Sequence, residues 1–217
     1  RNFIFNYLSS LTNPTVFDVG ANIGNYSKKI LAANPDANLY AFEPHPKTYL
    51  TLTSKIDSDN FRAFNVAVGD KDKKLLLYDY LDSDGSSHAS LYKDVIEEIH
   101  NKKSISHEIS VIKLEDFMLQ NEIRHIDLLK IDTEGNELNV LNGLGNYLKN
   151  NKIKAIHFEF NEMNIVSKVS FKDFWDLLTD YDFYRLLPGG RMLKINQYNP
   201  LLCEIYAYQN IIALLKQ

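Results

Sequence analysis

From Thr15 onward, short apolar runs rich in β-branched and aromatic residues alternate with segments of helical period, and this alternation admits few architectures. The first pair is a strand, Thr15-Val-Phe-Asp-Val, that runs through Gly20 into a helix predicted to begin near Asn22 or Ile23, with Ile23, Tyr26, Ile30 and Leu31 on one face. Residues 38–44 read as a second strand, 61–68 as a third, 126–133 as a fourth and 154–161 as a fifth. A helix between the last two carries Leu138, Leu141, Leu144 and Leu148. Strands joined through helices run parallel, so the chain is predicted to be α/β, a doubly wound, mostly parallel sheet with helices on both faces.

Two stretches depart from the alternation. Residues 184–187, a Pro-Gly-Gly turn at 188–190, and residues 192–195 and 204–210 read as consecutive strands, which predicts an antiparallel strand pair at the C-terminal end. Residues 70–116 interrupt the core as an inserted hairpin and lid-like region: a strand at 74–81, a small polar loop at 82–90 and a strand at 109–114, placed to fold over the crevice. Ser170 and Asp173 suit a capping box for a helix whose Phe171, Phe174, Trp175 and Leu178 share a packing face. The 217 residues suit one domain, 1–217, and the start at Arg1, which has neither an initiator Met nor signal-peptide zones, reads as a cut from a longer chain.

The turn after the first strand carries chemistry. Gly20 permits a sharp turn and close backbone approach, and the helix behind it offers unpaired N–H groups and a positive dipole end, a seat for an anionic group. A dinucleotide fingerprint needs G-x-G-x-x-G, but Asn22 stands where the second glycine makes room for pyrophosphate. This spacing disfavours a nicotinamide-dependent oxidoreductase, one of two rival readings. The other is a cofactor-binding module without catalysis. The pattern present, Asp18-x-Gly20-x-x-x-Gly24, resembles the first motif of S-adenosylmethionine-dependent methyltransferases. Glu43, an acid ending the second strand, suits a ribose whose two hydroxyls it can accept, although such acids also cap helices.

In open α/β sheets ligands bind beyond the carboxyl ends of the strands. Asp132 and Glu134 end the fourth strand there, and His157, Glu159 and Asn161 alternate along one face of the fifth. Such a density of ionisable groups favours catalysis over mere cofactor holding. Lys130 shares a side with Asp132 and, inside an apolar strand, needs an anionic partner, which Asp18 or Glu159 can supply. Simpler roles compete: Asp132 as a helix cap, Glu134 as a solvated first-turn acid, His157 as a satisfied core histidine. Ser87, His88 and Ser90 suit a solvated turn, and His45, His100, His107 and His125 look like surface residues. No His-x-x-x-His spacing occurs and no metal site is assigned; Mg²⁺ on Asp132, Glu159 and Asn161 is a possible but unfavoured alternative.

Composition narrows the partners. A net charge of −4 without a Lys/Arg block argues against nucleic acid, and no apolar run of about 20 residues spans a bilayer. Cys203 is the only cysteine, which excludes an intrachain disulfide and a multi-thiolate zinc site and fits a reducing, cytoplasmic setting. Oligomeric state is not readable from these features.

Taken together, Val16-Phe-Asp-Val-Gly-Ala-Asn-Ile-Gly-Asn-Tyr-Ser27, Ala41-Phe-Glu-Pro44, Asn65-Val-Ala-Val-Gly69, Ile126-Asp-Leu-Leu-Lys-Ile-Asp-Thr-Glu-Gly135 and Ile156-His-Phe-Glu-Phe160 resemble the FkbM-type methyltransferases over nearly the whole chain. The resemblance implies a class I methyltransferase fold and methyl transfer from S-adenosylmethionine to a hydroxyl of a sugar, polysaccharide precursor or secondary metabolite, so the partner expected is a small-molecule or glycan acceptor. On that reading Asp18 shapes the cofactor turn with Gly20 and Gly24. Asn22 and Asn25 offer donors to the methionine carboxylate, Glu43 holds the ribose, and the backbone of Ala67 and Val68 borders the adenine. Asp132 is the first candidate for the base, with Glu134, His157 and Glu159 behind it.

Overall fold

In a computed structural model, residues 2–86 and 88–216 are described. The strands are β1 (Thr15–Val19), β2 (Asn38–Phe42), β3 (Phe61–Phe64), β4 (Ala67–Val68), β5 (Lys73–Tyr80), β6 (Ser104–Ile112), β7 (Ile126–Ile131), β8 (Ile153–Phe160), β9 (Tyr181–Leu186), β10 (Met192–Ile195) and β11 (Gln209–Leu215). The helices are α1 (Asn2–Leu8), α2 (Asn25–Ala33), α3 (Pro46–Lys55), α4 (Leu114–Gln120), α5 (Glu137–Asn142), α6 (Asn146–Lys149), α7 (Met163–Ser167), α8 (Phe171–Leu177) and α9 (Pro200–Cys203). Eight strands form the main sheet in the order β10-β9-β11-β8-β7-β1-β2-β3, and β4-β6-β5 form a second, smaller sheet. β3, β2, β1, β7 and β8 run parallel, while β11, β9 and β10 pair antiparallel.

Strand periodicity divides the core into two layers. Val16, Leu39, Leu128, Ala155 and Ile212 point to α1 and α2, where Phe3, Ile4, Leu8 and Ile30 cover them. The intervening Phe17, Leu129, Ile131, Ile156, Phe158 and Ile211 point the other way, against α4, α5 and α8. Aromatic pairs fill that second layer, among them Phe158 stacked on Phe174 at 4.6 Å between ring centroids and Phe117 edge-on to Phe42 at 5.1 Å.

Several boundaries differ from the sequence-based expectation, each for a local reason. The third strand ends at Phe64, because Asn65 turns to donate its amide to the Glu43 and Pro44 carbonyls, and Ala67–Val68 leave to pair with β6. α2 starts at Asn25 instead of 22 or 23, since Asn22 (φ 49°) and Gly24 (φ 83°) hold left-handed conformations that a helix cannot continue. The single helix expected across Leu138–Leu148 is split into α5 and α6 around Gly143 and Gly145. At the end of the chain, residues 204–210 are not the last strand: Asn199 accepts the Leu201 N–H at 3.0 Å and Pro200 takes the first helical position, so α9 precedes a strand that begins at Gln209. Ser170 donates its N–H to Asp173 at 2.7 Å at the start of α8, as the spacing predicts.

Gly20 marks where the fold makes the cavity. Its φ is +80°, and a Cβ there would meet the Asp132 carbonyl oxygen at 1.8 Å. The close approach is therefore made by the protein's own backbone, where β1 and β7 end side by side, and the residue is needed before any ligand is considered. Gly20→Ala combines a left-handed conformation with a backbone clash, and we expect it to lower stability by about 3 kcal/mol or more in urea unfolding. A loss under about 1 kcal/mol would refute this account of the turn.

Candidate active site

The same period of two that builds the core layers makes the site. On the face that α1 and α2 cover, the strands are apolar until their carboxyl ends, where the next inward positions are Asp18 on β1, Lys130 on β7, His157 on β8 and Asn210 on β11. Asp18 stands opposite Lys130 and Lys130 opposite His157 in the sheet register. One further step outward come Asp132 and Glu159. Together with the turn at 20–25, these residues line a cavity of about 430 Å³, within the range of about 300–1,000 Å³ usual for small-molecule sites.

Lys130 is the centre of the polar end. Only 3% of it is exposed. Its Nζ lies 3.4 Å from Asp132 Oδ2 and 3.6 Å from Glu159 Oε1, and 5.6 Å from the centroid of the Tyr26 ring. Burial pulls the lysine pKa down, but Asp132, Glu159 and Asp18 more than offset this, so it is raised and the ammonium persists. Asp18 does not contact the lysine as a close ion pair: its carboxylate accepts the Ser27 hydroxyl at 2.6 Å, tying β1 to α2, and burial pushes its pKa up to about 6. Glu159 accepts the Tyr208 hydroxyl at 2.7 Å, and burial raises its pKa. Lys130 occupies the space between Asp132 and Glu159, and Asn161 accepts the Met163 N–H at 3.0 Å at the start of α7, outside the cavity lining. The oxygen set considered for Mg²⁺ therefore does not assemble.

His157 is a satisfied histidine. With the Asn210 amide oxygen 2.7 Å from Nε2, that nitrogen carries the proton, and Nδ1 accepts from the Tyr26 hydroxyl at 2.7 Å. Burial, then the Lys130 charge, holds its pKa well below the ordinary histidine value, so the ring is neutral with both nitrogens engaged. Glu134 sits in a left-handed turn (φ 52°) with Oε1 3.3 Å from His88 Nδ1, and burial raises its pKa. Ser90 is fully buried and donates to the Glu134 carbonyl at 2.8 Å, so it is not part of a solvated turn, whereas the His88 side chain is 43% exposed; Ser87 lies outside the described residues. Asp132 differs from its neighbours: 37% of its side chain is exposed, and Lys130 is its one ionic partner among the described residues.

At the other end of the cavity, Glu43 accepts the Asn22 N–H through Oε2 and the His45 N–H through Oε1, both at 2.8 Å. Burial pushes its pKa up to about 7. Val66, Ala67 and Val68 line the wall beside it, and the Asn136 amide holds the Val68 carbonyl at 2.9 Å. Asn25 lines the mouth of the cavity from the first turn of α2, and Asn22 spends its amide on the Ile23 N–H (2.6 Å) and the Ser86 carbonyl (3.4 Å). Ser86, Ala89 and Leu91 bring the inserted region to the cavity wall.

Sequence reasoning missed Tyr26, Tyr208 and Asn210, whose only signal is strand parity at Asn210. It also missed Asp79, a fully buried carboxylate that accepts the Gly85 and Ser86 amides at 2.7 and 2.8 Å and so shapes the segment beside the cavity. Of the histidines read as surface residues, only His125 fits well; His45 is fully buried, His107 is bonded to Asp84, and His100 lies against His88.

A family model described as the methyltransferase FkbM domain matches residues 18–184. The chain is 24% identical over 191 residues to the 2-O-methyltransferase NoeI of Sinorhizobium fredii (strain NBRC 101917 / NGR234), covering 82% of this chain and 76% of that protein. It is 27% identical over 160 residues to the hexuronic acid methyltransferase AglP of Haloferax volcanii, covering 71% of this chain and 61% of that relative, less than two thirds of its length. The structure of the plantazolicin methyltransferase BpumL in complex with SAH superposes with a TM-score of 0.52 at 11% identity, over 99% of this chain and 81% of that one. That likeness is one of fold, the class I methyltransferase sheet.

Removing the Lys130 ammonium leaves Asp132, Glu159 and Asp18 without their cation. Lys130→Met is expected to cost about 3–5 kcal/mol at pH 8, measured by urea unfolding. As pH falls to 5, Asp18 and Glu159, whose pKa values burial already raises and loss of the lysine charge raises further, take up protons in the folded state, so the deficit shrinks. An equal loss at both pH values would show that packing, not charge, is what Lys130 supplies.

Proposed function

We propose, on the premise that the chain belongs to the family of FkbM methyltransferase domains and is an S-adenosylmethionine-dependent methyltransferase, that it methylates a hydroxyl oxygen of a sugar or sugar-like small molecule. The observation that carries the cofactor assignment is Glu43: both carboxylate oxygens are fixed by backbone amides at the cavity wall, yet each retains a lone pair for a ribose hydroxyl. S-adenosylmethionine, when bound, supplies a methyl group on a sulfonium that an oxygen can take in line. Ala67 and Val68 would border the adenine, while the first amides of α2, from Asn25 on, would face the methionine carboxylate, the N–H groups of residues 20–24 being engaged within the protein. Asn25 is the free amide donor there, since Asn22 is engaged.

The acceptor lies over Asp132, with Glu159, Tyr208, Tyr26 and Asn210 around it, a mixture of carboxylate, phenol and amide groups suited to hydroxyls. Asp132 would take the acceptor proton as the acceptor oxygen is methylated, the bound cofactor supplying the methyl group. Lys130 holds the Asp132 carboxylate in position, and Glu159, Glu134 and His157 are positioning residues, Glu159 held by Tyr208, Glu134 by His88, and His157 by Tyr26 and Asn210. The relatives named for 2-O-methylation and for hexuronic acid support a carbohydrate acceptor over other hydroxyl compounds.

Two substitutions test these roles. Glu43→Gln loses charge-assisted hydrogen bonds of about 1.5–3 kcal/mol each, so calorimetry should give an S-adenosylhomocysteine Kd roughly 10- to 100-fold weaker. Unchanged affinity would remove the ribose assignment. Asp132→Asn should keep that affinity within a few-fold and slow methylation of an accepted sugar by about 10²–10⁴. A variant as fast as the wild type would exclude Asp132 as the base.

A further inference from the structure

Outside the cofactor cavity, three elements that are far apart in sequence bring metal-binding atoms together. His45, at the start of α3, and His107, on β6, both aim Nε2 at one oxygen of Asp84: 2.8 Å from His45 and 2.6 Å from His107. One ligand atom from each residue lies within 4.8 Å of the other two. Asp79 Oδ2 stands 3.6 Å from His45 Nε2 as a fourth donor, and Lys47 holds the other Asp84 oxygen at 2.5 Å from an exposed position. Burial opposes ionisation of Asp84, but bonds from Lys47, His107 and His45 outweigh it and hold its pKa below the usual carboxylate range.

We propose that His45, His107 and Asp84 form a binding site for a divalent transition metal of the zinc type. Two imidazoles and a carboxylate suit zinc or cobalt and are a poor set for Mg²⁺ or Ca²⁺. In a tetrahedral zinc site neighbouring ligand atoms lie about 3.3–3.5 Å apart, so the two separations between a histidine and Asp84 need to open by under about 1 Å. A metal at Nε2 takes the place of the proton now directed at Asp84, and that proton goes to Nδ1 of the same ring or to solvent. Asp84 coordinates through Oδ1 and keeps Lys47 on Oδ2. The burial of His45, whose side chain is 1% exposed and whose Nδ1 has no hydrogen-bond partner, argues for a strong interaction at its other nitrogen. The metal ties the 84–86 segment to the body of the fold: Asp84 is two residues from Ser86, whose carbonyl takes the Asn22 amide, and His45 is two residues from Glu43. This site stands on its own geometry and does not depend on the methyl-transfer reading.

The test uses the full chain after chelator treatment and dialysis. Isothermal titration should give one zinc ion bound per chain, the melting temperature should rise with zinc and not with Mg²⁺, and cobalt should develop the visible bands of a four-coordinate site. His107→Gln is partly exposed and should melt near the wild type without metal, but bind zinc about 100-fold or more weakly; Asp84→Asn should do likewise. His88→Gln, which alters the separate His88–His100 pair, should bind zinc as the wild type does. No zinc binding by the wild type, or binding that survives both His107→Gln and Asp84→Asn, would overturn the site. So would its loss in His88→Gln with retention in His107→Gln.

Discussion

An ammonium group buried at the carboxyl ends of β1, β7 and β8 is the constraint around which the site is built. An unpaired lysine there would cost several kcal/mol, so the position of Lys130 dictates acids on both sides of it. Asp132 follows two residues along the same strand and Glu159 comes from the neighbouring strand, each under 4 Å away. Those acids draw in hydrogen-bonding neighbours of their own: Tyr208 on Glu159, Ser27 on Asp18. The Tyr26 ring lies beside the ammonium, its hydroxyl donates a hydrogen bond to His157 Nδ1, and the His157 Nε2–H donates one to the Asn210 amide oxygen. A single buried cation thereby connects four strands and α2 in one polar layer above an apolar core.

The acids of that layer differ through their surroundings. Glu43 and Asp18 are enclosed and bound by fixed donors, which suits holding. Asp132 is the one with substantial access to the cavity, which suits exchange of a proton with a ligand. Glu137, not anticipated from the pattern, fixes the turn that presents Asp132: its Oε1 accepts the Thr133 and Gly135 amides at 2.9 and 3.2 Å, and burial pushes its pKa up to about 7. The block Lys130-Ile-Asp-Thr-Glu-Gly is therefore a cation, its partner and a turn that is locked from two residues further on.

Much of this was legible in the residues because strand parity and turn chemistry are local. Alternation placed Lys130, Asp132, His157 and Glu159 on one face, the position of Glu43 at a strand end brought it to the cavity, and the missing second glycine removed the dinucleotide reading. The errors arose where a side chain reached outside its own segment. Asn65 ended a strand by bonding to the Glu43 and Pro44 carbonyls, and Tyr26 and Asn210 engage both ring nitrogens of His157.

The sequence by itself determined the α/β alternation, the class of turn after β1 and the set of polar residues at the strand ends, since each follows from periods of two and 3.6 and from the conformations that glycine permits. Only the tertiary structure decided which of those polar groups are free. Asp132 and Glu159 share Lys130, whereas His45, Asp84 and His107, separated along the chain and unremarkable in it, converge because β6 and the segment after β5 fold back against the start of α3. Pairings of that kind depend on the distance between side chains in space, to which no periodicity along the chain gives access.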